Sequence, residues 1–444
     1  MREFNKGNIK GLVAAFALLG MVAQAQAADQ ELLDILLGNG AINQQQYDAL
    51  LAKESLSKSD VAVISLGNGG GLNISTADGG TEVEIGGRLQ MDYVDHSYDS
   101  RMGIAPISGT QIRRGRIEMD GTFNTNWIWA AEFDYAKNGV AIKDFTVGYA
   151  TDKGTRIMVG HQKQPYNLEL EMSSNDLPFV ERGVDNFLVA AFTDRALGLR
   201  VQSNGDHWFV AGGLFGDTLK TGGAGDEGWG VTGRAIYSPV VAADKVVHLG
   251  LRASYREIDA STPVVSIKDK TSDFSELSIV NTGALANAEN VTLSGPEFAI
   301  AYGPLFMFGE YNNVELDRTA ASTLEFNSWH VGATWALTGE SRAARYRMSD
   351  GEFKNIRPTR NYEFGSGNPG AWELAARFAS ISLNDGLFIG GEEDAASLSL
   401  NWYPNRNVRF LLDWTRILDT DGSNTVRTFA PDMDILTFRS QYNF

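Results

Sequence analysis

From Thr81 onward, apolar and polar residues alternate along the chain with a period of two. In TEVEIGGRLQMDYV (81–94), the odd positions from Val83 to Tyr93 are mostly apolar, and most even positions are charged or polar. The alternation recurs in WIWAAEFDY (127–135) and VVHLGLRASYRE (246–257). Segments of this kind, about ten residues long with aromatic residues near their ends, are typical of transmembrane β-barrels, which turn apolar side chains to lipid and polar ones to a wet lumen.

Counting such segments predicts an all-β fold, a transmembrane antiparallel β-barrel of about sixteen strands. Even strand numbers are usual for bacterial outer-membrane barrels, and alternate connections here are tight. A soluble β-sandwich or solenoid also has alternating strands. The apolar faces here are rich in Trp and Tyr, and the opposite faces carry both signs of charge. Both features favour the barrel. The predicted segments lie near 82–94, 112–123, 127–136, 142–150, 155–163, 195–203, 207–216, 228–238, 246–258, 295–303, 305–316, 325–337, 371–382, 395–404, 407–417 and 433–444.

The last strand adds weight to this interpretation. ILTFRSQYNF (435–444) places Leu436, Phe438, Tyr442 and Phe444 on one face and ends in Phe. That ending is usual for barrels handed to the outer-membrane assembly machinery, so we expect Phe444 to engage that machinery.

The N-terminal region predicts export. A basic start, the apolar run GLVAAFALLGMVA and then AQA form a secretory signal peptide, residues 1–27. Residues 28–66 are predicted to form a helical periplasmic segment, with two short helices within 29–57. A Gly-rich linker (67–80) follows, and the predicted β-barrel takes up 81–444. The expected location is the outer membrane of a Gram-negative cell, with the N-terminal segment in the periplasm.

Composition excludes several function classes. The net charge of −17 argues against a nucleic-acid partner. Cysteine is absent and the five histidines are scattered, so no zinc cluster is expected. GNGGG (67–71) lacks the flanking strand and helix of a nucleotide-binding loop, so no cofactor is expected.

A sixteen-strand barrel encloses an aqueous channel, whose selectivity depends on charges at its narrowest point. By parity, the lumen carries nearly equal numbers of arginines and acids, among them Arg252 and Arg256. The 164–194 connection is too apolar to stay in solvent, so we expect it to fold into the lumen. The 338–370 connection falls on the side of the tight turns and is far too long for a turn.

Three arginines stand within four positions in QIRRGRIEMDG (111–121). Arg114 and Arg116 have lumen parity. Arg113 has outward parity, so we expect it near the loop end of its strand, where the backbone can turn it toward the pore.

In order and spacing, GGRLQMDY (86–93), RRGRIEMDGTF (113–123), SSNDLPFVERG (173–183) and NWYPNRNVRF (401–410) resemble the phosphate- and pyrophosphate-selective outer-membrane porins of the OprP/OprO type. VVHLGLRASYRE, LTGESR (337–342) and GAWELAARF (370–378) extend the likeness over nearly the whole barrel. The resemblance implies a homotrimer of sixteen-stranded channels, with an inward third loop and an arginine ladder that leads anions to a constriction. It also implies an extended periplasmic segment at 338–370.

Residue by residue, the resemblance makes Arg88 a ladder arginine, Arg113 and Arg114 the paired constriction arginines, and Asp144 the constriction aspartate. The family's phosphate-binding loop lysine falls here at Leu170 or Glu171. Lys163 is a candidate to supply that charge, and Arg116 adds a further cation.

The leading hypothesis is passive diffusion of anions, phosphate or polyphosphate, through this channel. A weakly selective general porin without a phosphate site is the alternative, favoured by Glu169 and Glu171 in the loop. An outer-membrane hydrolase is disfavoured, because His248 and His330 have lumen parity and no Ser is paired with them on a lipid-facing surface. In a third interpretation the barrel only anchors the N-terminal helices, which would bind periplasmic partners or trimerise.

Overall fold

The computed structural model describes residues 27–444 except 60, 68, 99–104, 137–138, 218, 220–226, 271, 276 and 422–432. Apart from Ala27, the predicted signal peptide therefore lies outside the described residues. The chain divides into two compact units, one of residues up to Val63 with 75–81, and one of 64–74 with 82–444. Within the described residues, no helix is both long and apolar enough to cross a membrane.

The N-terminal region contains two helices, α1 (Ala27–Gly38) and α2 (Gln44–Ser59). Asn43 precedes α2, and its side-chain oxygen accepts a hydrogen bond from the Gln46 backbone (2.8 Å), as an N-cap does. Two short strands follow, Ala62–Leu66 and Leu72–Thr76. The second lies within the segment that the sequence predicted to be a linker.

Sixteen strands in the described part of the chain form a closed antiparallel barrel, which confirms the predicted fold. Each pairs with its neighbours in sequence, and the last pairs with the first. At that seam Gly87 and Phe444 exchange backbone hydrogen bonds of 3.0 and 3.1 Å. The strands are β1 (Glu82–Ser97), β2 (Ile107–Phe123), β3 (Trp127–Asp134), β4 (Ala141–Ala150), β5 (Arg156–Lys163), β6 (Arg195–Asn204), β7 (Trp208–Phe215), β8 (Trp229–Ala242), β9 (Lys245–Glu257), β10 (Ala288–Tyr302), β11 (Leu305–Arg318), β12 (Leu324–Ala336), β13 (Ala371–Asp385), β14 (Phe388–Tyr403), β15 (Val408–Asp421) and β16 (Met433–Asn443).

The alternation in sequence becomes two faces of the barrel wall. In β9, Leu251 is 68% exposed on the outer face, while Arg252 beside it is 4% exposed inside. The predicted outward row of β16, Leu436 to Phe444, is also exposed. Because successive side chains in a strand point to opposite sides, this pattern makes an apolar outer surface and a polar interior.

Several strands extend farther toward the loop end than the sequence predicts. β2 begins at Ile107 rather than near 112, β10 at Ala288 rather than near 295, and β14 at Phe388 rather than near 395. These extensions carry little apolar alternation, as in GGEEDAA (390–396). Strand pairing continues there without a lipid-facing row, so the pattern gave no signal.

The two long connections fold into the barrel interior. The third loop (164–194) contains α3 (Leu168–Glu171) and α4 (Asn186–Thr193), and its Tyr166 and Leu188 are fully buried. The 337–370 segment contains a 3₁₀ turn, Ala343–Arg345, and two short paired strands, Tyr346–Arg347 and Glu352–Phe353. Two further short strands, Val264–Val265 and Leu285–Ala286, pair in the loop between β9 and β10.

Candidate functional site

Wall arginines hold the third loop in place by donating to its backbone carbonyls. Arg409 donates to the Leu177 carbonyl (2.7 Å), Arg439 to that of Val180 (2.6 Å) and Arg256 to that of Phe192 (3.1 Å). A loop that crosses a barrel has backbone acceptors without a strand partner, and buried acceptors need donors. Much of the arginine content of the wall therefore serves the loop rather than the open channel.

The 337–370 segment is tied to the interior wall in the same way. Arg156 of β5 bonds the Asp350 carboxylate (2.7 Å), and Arg234 of β8 donates to the Gly351 carbonyl (2.9 Å). Phe353 packs against Phe306 of β11 at 4.8 Å between ring centroids. This segment, predicted only as an overlong turn, fills part of the turn end of the lumen.

The space left open is a cavity of about 640 Å³. It lies between the third loop and the walls of β1–β6 and β13–β16, and the loop between β9 and β10 contributes to its lining. Of the predicted site residues, the cavity lining includes Arg113, Arg114, Arg116 and Lys163.

A β-bulge in β2 turns two consecutive arginines inward. Gln90 pairs with Arg114 and Met91 pairs with Ile112, so Arg113 is an extra residue without a partner on β1. A bulge of this kind reverses the facing of the residues beyond it and re-aims a side chain. Arg113 therefore points to the cavity from within the strand, and not from the strand's loop end as parity led us to expect.

A second bulge does the same in β4. Ala131 pairs with Phe145 and Phe133 with Ile142, so two residues, Lys143 and Asp144, stand opposite one. Asp144 accepts two hydrogen bonds from Arg195 at the start of β6, of 3.0 and 2.9 Å. Lys143 lines the cavity.

The arginines predicted for the constriction all have carboxylate partners. Arg88 pairs with Glu118 and also donates to Ser173 and Ser174 of the third loop (2.9 Å each). Arg88 is buried beneath the loop and is outside the cavity lining. Arg116 pairs with Glu132 and, at 2.8 Å, with Asp134.

Arg113 and Arg114 meet at Glu181 of the third loop, together with Arg439 of β16. Arg113 contacts both carboxylate oxygens (2.7 and 3.0 Å), and Arg114 and Arg439 contact one each (3.1 and 3.0 Å). Burial on its own would raise the pKa of the Glu181 carboxyl, but these arginines outweigh it and hold that pKa well below its usual range. The sequence reasoning missed Glu181. The one available signal was an acidic residue in a loop expected to face arginines.

Lys163 and Arg182 also line the cavity, but their partners are backbone carbonyls. Lys163 donates to the carbonyls of Glu171 (2.7 Å) and Met172 (3.3 Å). Arg182 donates to those of Glu169 (2.7 Å) and Met172 (2.9 Å). Lys163 thus reaches the part of the loop where the resemblance placed a lysine. Leu170 there packs into an apolar cluster, and Glu171 pairs with Arg200 (2.8 Å).

Arg252 and Arg256 face inward as predicted, but they are buried and are not part of the cavity lining. Arg252 bonds Glu297 (3.2 Å) and lies over the Tyr166 ring at 5.2 Å. Arg256 pairs with Asp217 (3.1 Å) besides its bond to the third loop.

Comparison with known proteins identifies the family. A family model described as phosphate-selective porin O and P matches residues 83–444. The chain belongs to this porin family. Porin O of Pseudomonas aeruginosa is 24% identical over 387 residues, covering 79% of this chain and 86% of that protein. An uncharacterised protein of Caulobacter vibrioides is 27% identical over 375 residues, covering 79% and 70%.

Solved porin structures share the barrel of this porin. The anion-selective porin from Comamonas acidovorans has a TM-score of 0.53 at 12% identity, covering 82% of this chain and 100% of that one. The outer-membrane channel DcaP of Acinetobacter baumannii has a TM-score of 0.50 at 12% identity, covering 82% and 98%. At this identity the likeness concerns the fold. Family and fold together place the protein in the outer membrane.

The porin interior also contains a cluster with the residue types of a metal site. Potential ligand atoms of Glu169, Asp185 and His330 lie within 4.8 Å of one another, all buried. No spacing in the sequence indicated it, because two members lie in the third loop and one in β12. His330 Nδ1 contacts Asp185 (2.7 Å), and Glu169 pairs with Arg377 (2.8 Å) and contacts Asn186. These bonds already balance much of the charge, so the cluster links the loop to the wall.

Proposed function

We propose that this porin conducts small anions by passive diffusion, with phosphate or polyphosphate as the permeant class. The observation that carries the proposal is a group of three cations on one side of the cavity, Lys143, Lys163 and Arg182. None of them has a carboxylate oxygen within 4.0 Å among the described residues. No acid among the described residues therefore competes with a permeant anion for these side chains, whereas the predicted constriction arginines are balanced by acids.

Lys163 is the member of this group whose position best supports phosphate. Its side-chain nitrogen is held by two carbonyls of the third loop, which fixes its place without pairing it to an acid. We propose that Lys163 supplies the charge of the family's loop lysine from the end of β5. Asp144 is outside the cavity lining and its carboxylate is bound by Arg195, so it should not repel anions strongly.

Reversal potentials of the purified protein in planar bilayers test the proposal. Under a KCl gradient the wild type should prefer chloride, and Lys163→Gln should lower the chloride-to-potassium permeability ratio. Lys153→Gln is the matched control, because Lys153 lies exposed in the β4–β5 turn and its loss removes the same charge. A cation-selective wild type, or equal effects of the two variants, would contradict the proposal.

A weakly selective general porin is the second candidate, and one observation favours it. Three acids, Glu82, Glu84 and Asp120, lie together on the lumen side of β1 and β2 near the turn end, where Glu84 is directly opposite Asp120. Such a patch repels anions. Chloride currents that millimolar phosphate leaves unchanged would support this candidate over a phosphate channel.

The remaining assignments follow from the family and are part of the proposal. We expect a homotrimer, a channel rather than an enzyme, a periplasmic N-terminal segment, and assembly through Phe444. Deleting 29–66 separates channel from tether, because trimers and conductance should survive the deletion.

A further inference from the structure

Glu181 lies at the centre of three guanidinium groups that open to the cavity. Its side chain is 32% exposed, compared with 17% for Arg113, 5% for Arg114 and 1% for Arg439. The carboxylate is thus the part of the cluster that solvent and permeant ions reach. The neighbouring arginines hold its pKa well below the usual range, which favours the ionised carboxylate.

The three arginines have other bonds that keep them in place without Glu181. Arg439 donates two hydrogen bonds to Asp92 (2.7 and 2.8 Å), and Arg114 donates to the Gln90 side chain (2.8 Å). Arg113 lies 3.6 Å from Asp273. The cradle formed by Arg113, Arg114 and Arg439 is therefore preorganised, and its geometry does not depend on the carboxylate that occupies it.

The backbone at Glu181 is also held independently of its side chain. Its carbonyl accepts from both terminal nitrogens of Arg377 (3.3 Å each), and the preceding carbonyl, of Val180, accepts from Arg439 (2.6 Å). The carboxylate can therefore leave the cradle by side-chain rotation while the loop stays in place.

We infer that Glu181 is a tethered counter-ion that a permeant oxyanion must displace from the cradle, and that Glu181 thereby weakens anion binding in this channel. The inference rests on the proposed function, since it requires anions in the cavity. The Glu181 carboxylate shows that the cradle can bind two oxygens that are bonded to the same central atom. Phosphate offers the same arrangement of oxygens.

The test compares Glu181→Gln with Glu118→Gln by titrating chloride conductance in planar bilayers with inorganic phosphate. Glu118 is a matched control because its side chain is 33% exposed and pairs with Arg88, outside the cradle. We expect Glu181→Gln to lower the half-blocking phosphate concentration on the order of tenfold, and Glu118→Gln to change it less than about twofold. Glu181→Asp retains the charge on a shorter side chain and should fall between wild type and Glu181→Gln.

The outcomes separate this inference from the proposed function. If the wild type is anion-selective but phosphate blocks Glu181→Gln at the same concentration as wild type or at a higher one, only the inference fails. If the wild type is cation-selective, the proposed function fails, and the inference is then judged by reversal potential. Glu181→Gln must still shift that potential toward anions more than Glu118→Gln does. Heat-modifiable mobility on gels identifies folded barrels, and Glu181→Asp carries the comparison if Glu181→Gln does not fold.

Discussion

The buried pair of Arg342 and Glu373 should be among the costliest interactions in the barrel to break. Arg342, in the 337–370 segment, donates two hydrogen bonds to Glu373 of β13 (2.7 and 3.0 Å). It also donates to the carbonyls of Asp176 (3.0 Å) and Lys354 (3.3 Å). The side chains of Arg342 and Glu373 are 1% and 0% exposed. One arginine therefore joins the wall, the third loop and the turn-end segment.

The expected loss follows from what Arg342→Met leaves behind. Removing one partner of a buried ion pair costs about 3–5 kcal/mol. Glu373 would keep two donors, the Thr334 hydroxyl (2.8 Å) and the Tyr403 hydroxyl (3.0 Å). Since these partly solvate the stranded carboxylate, we expect the lower end of that range, about 3 kcal/mol in the free energy of unfolding.

Urea unfolding in lipid vesicles measures this loss, with Glu373→Gln and the double variant completing a cycle. The coupling free energy should be about 2 kcal/mol, as for residues in direct contact within a network. Arg342→Met should also make the 337–370 segment more sensitive to protease and raise the conductance, because the segment fills part of the lumen. An unfolding midpoint of Arg342→Met equal to that of the wild type would refute the reasoning. So would a double variant whose loss of unfolding free energy is the sum of the two single losses.

Three further predictions concern the loop, the bulge and the seam. Burial raises the pKa of Asp269 to about 7 from an ordinary 3.8. The folded loop therefore binds the extra proton, and its packing should weaken as pH rises from about 4 to about 7. Tryptic cleavage of the 258–287 loop should speed up over that range, and Asp269→Asn should reduce the dependence. Deleting Arg113 should yield a folded barrel, because the deletion only removes the bulge. Deleting Ile117 should not, because it reverses the facing of part of the strand. Heat-modifiable mobility on gels compares the two variants. Gly87→Ala should lower the folded yield, because the added methyl would overlap a backbone oxygen of β2. Gly233→Ala is the control and should be tolerated, because the nearest atom to its added methyl is 3.8 Å away.

The barrel was predictable because lipid imposes a simple rule on each strand. Where a strand crosses lipid, every second residue must be apolar, and all sixteen predicted segments correspond to strands of the barrel. The rule does not apply beyond the lipid, and the loop-end extensions of β2, β10 and β14 were accordingly missed. The inward fold of 164–194 was also predictable, since its apolar side chains, such as Leu188, need a covered surface.

The site was less predictable, for two physical reasons. Strict alternation sends consecutive residues to opposite faces, so it cannot place Arg113 with Arg114, or Lys143 with Asp144. Only a bulge does so, and a bulge depends on pairing with the neighbouring strand. The partner of an inward charge also depends on where a loop crosses the lumen, and the alternation along a strand does not predict the path of a loop. Glu181 was missed on that account.

The arginines illustrate how a charged wall and a selective channel differ. A loop that crosses a barrel brings unpaired carbonyls, and arginine, with five donors, can satisfy several of them while its stem lies against the wall. Arg409 and Arg256 serve the third loop in this way and stay out of the cavity lining. A count of inward arginines therefore overstates the positive field that a permeant ion meets. The field is set by cations that have no acid partner in the part of the chain that the structure describes, among them Lys163 and Lys143 in the cavity lining, and by whether Glu181 occupies its cradle. Selectivity in this channel should accordingly respond more to changes at these three residues than to the loss of any arginine that holds the loop.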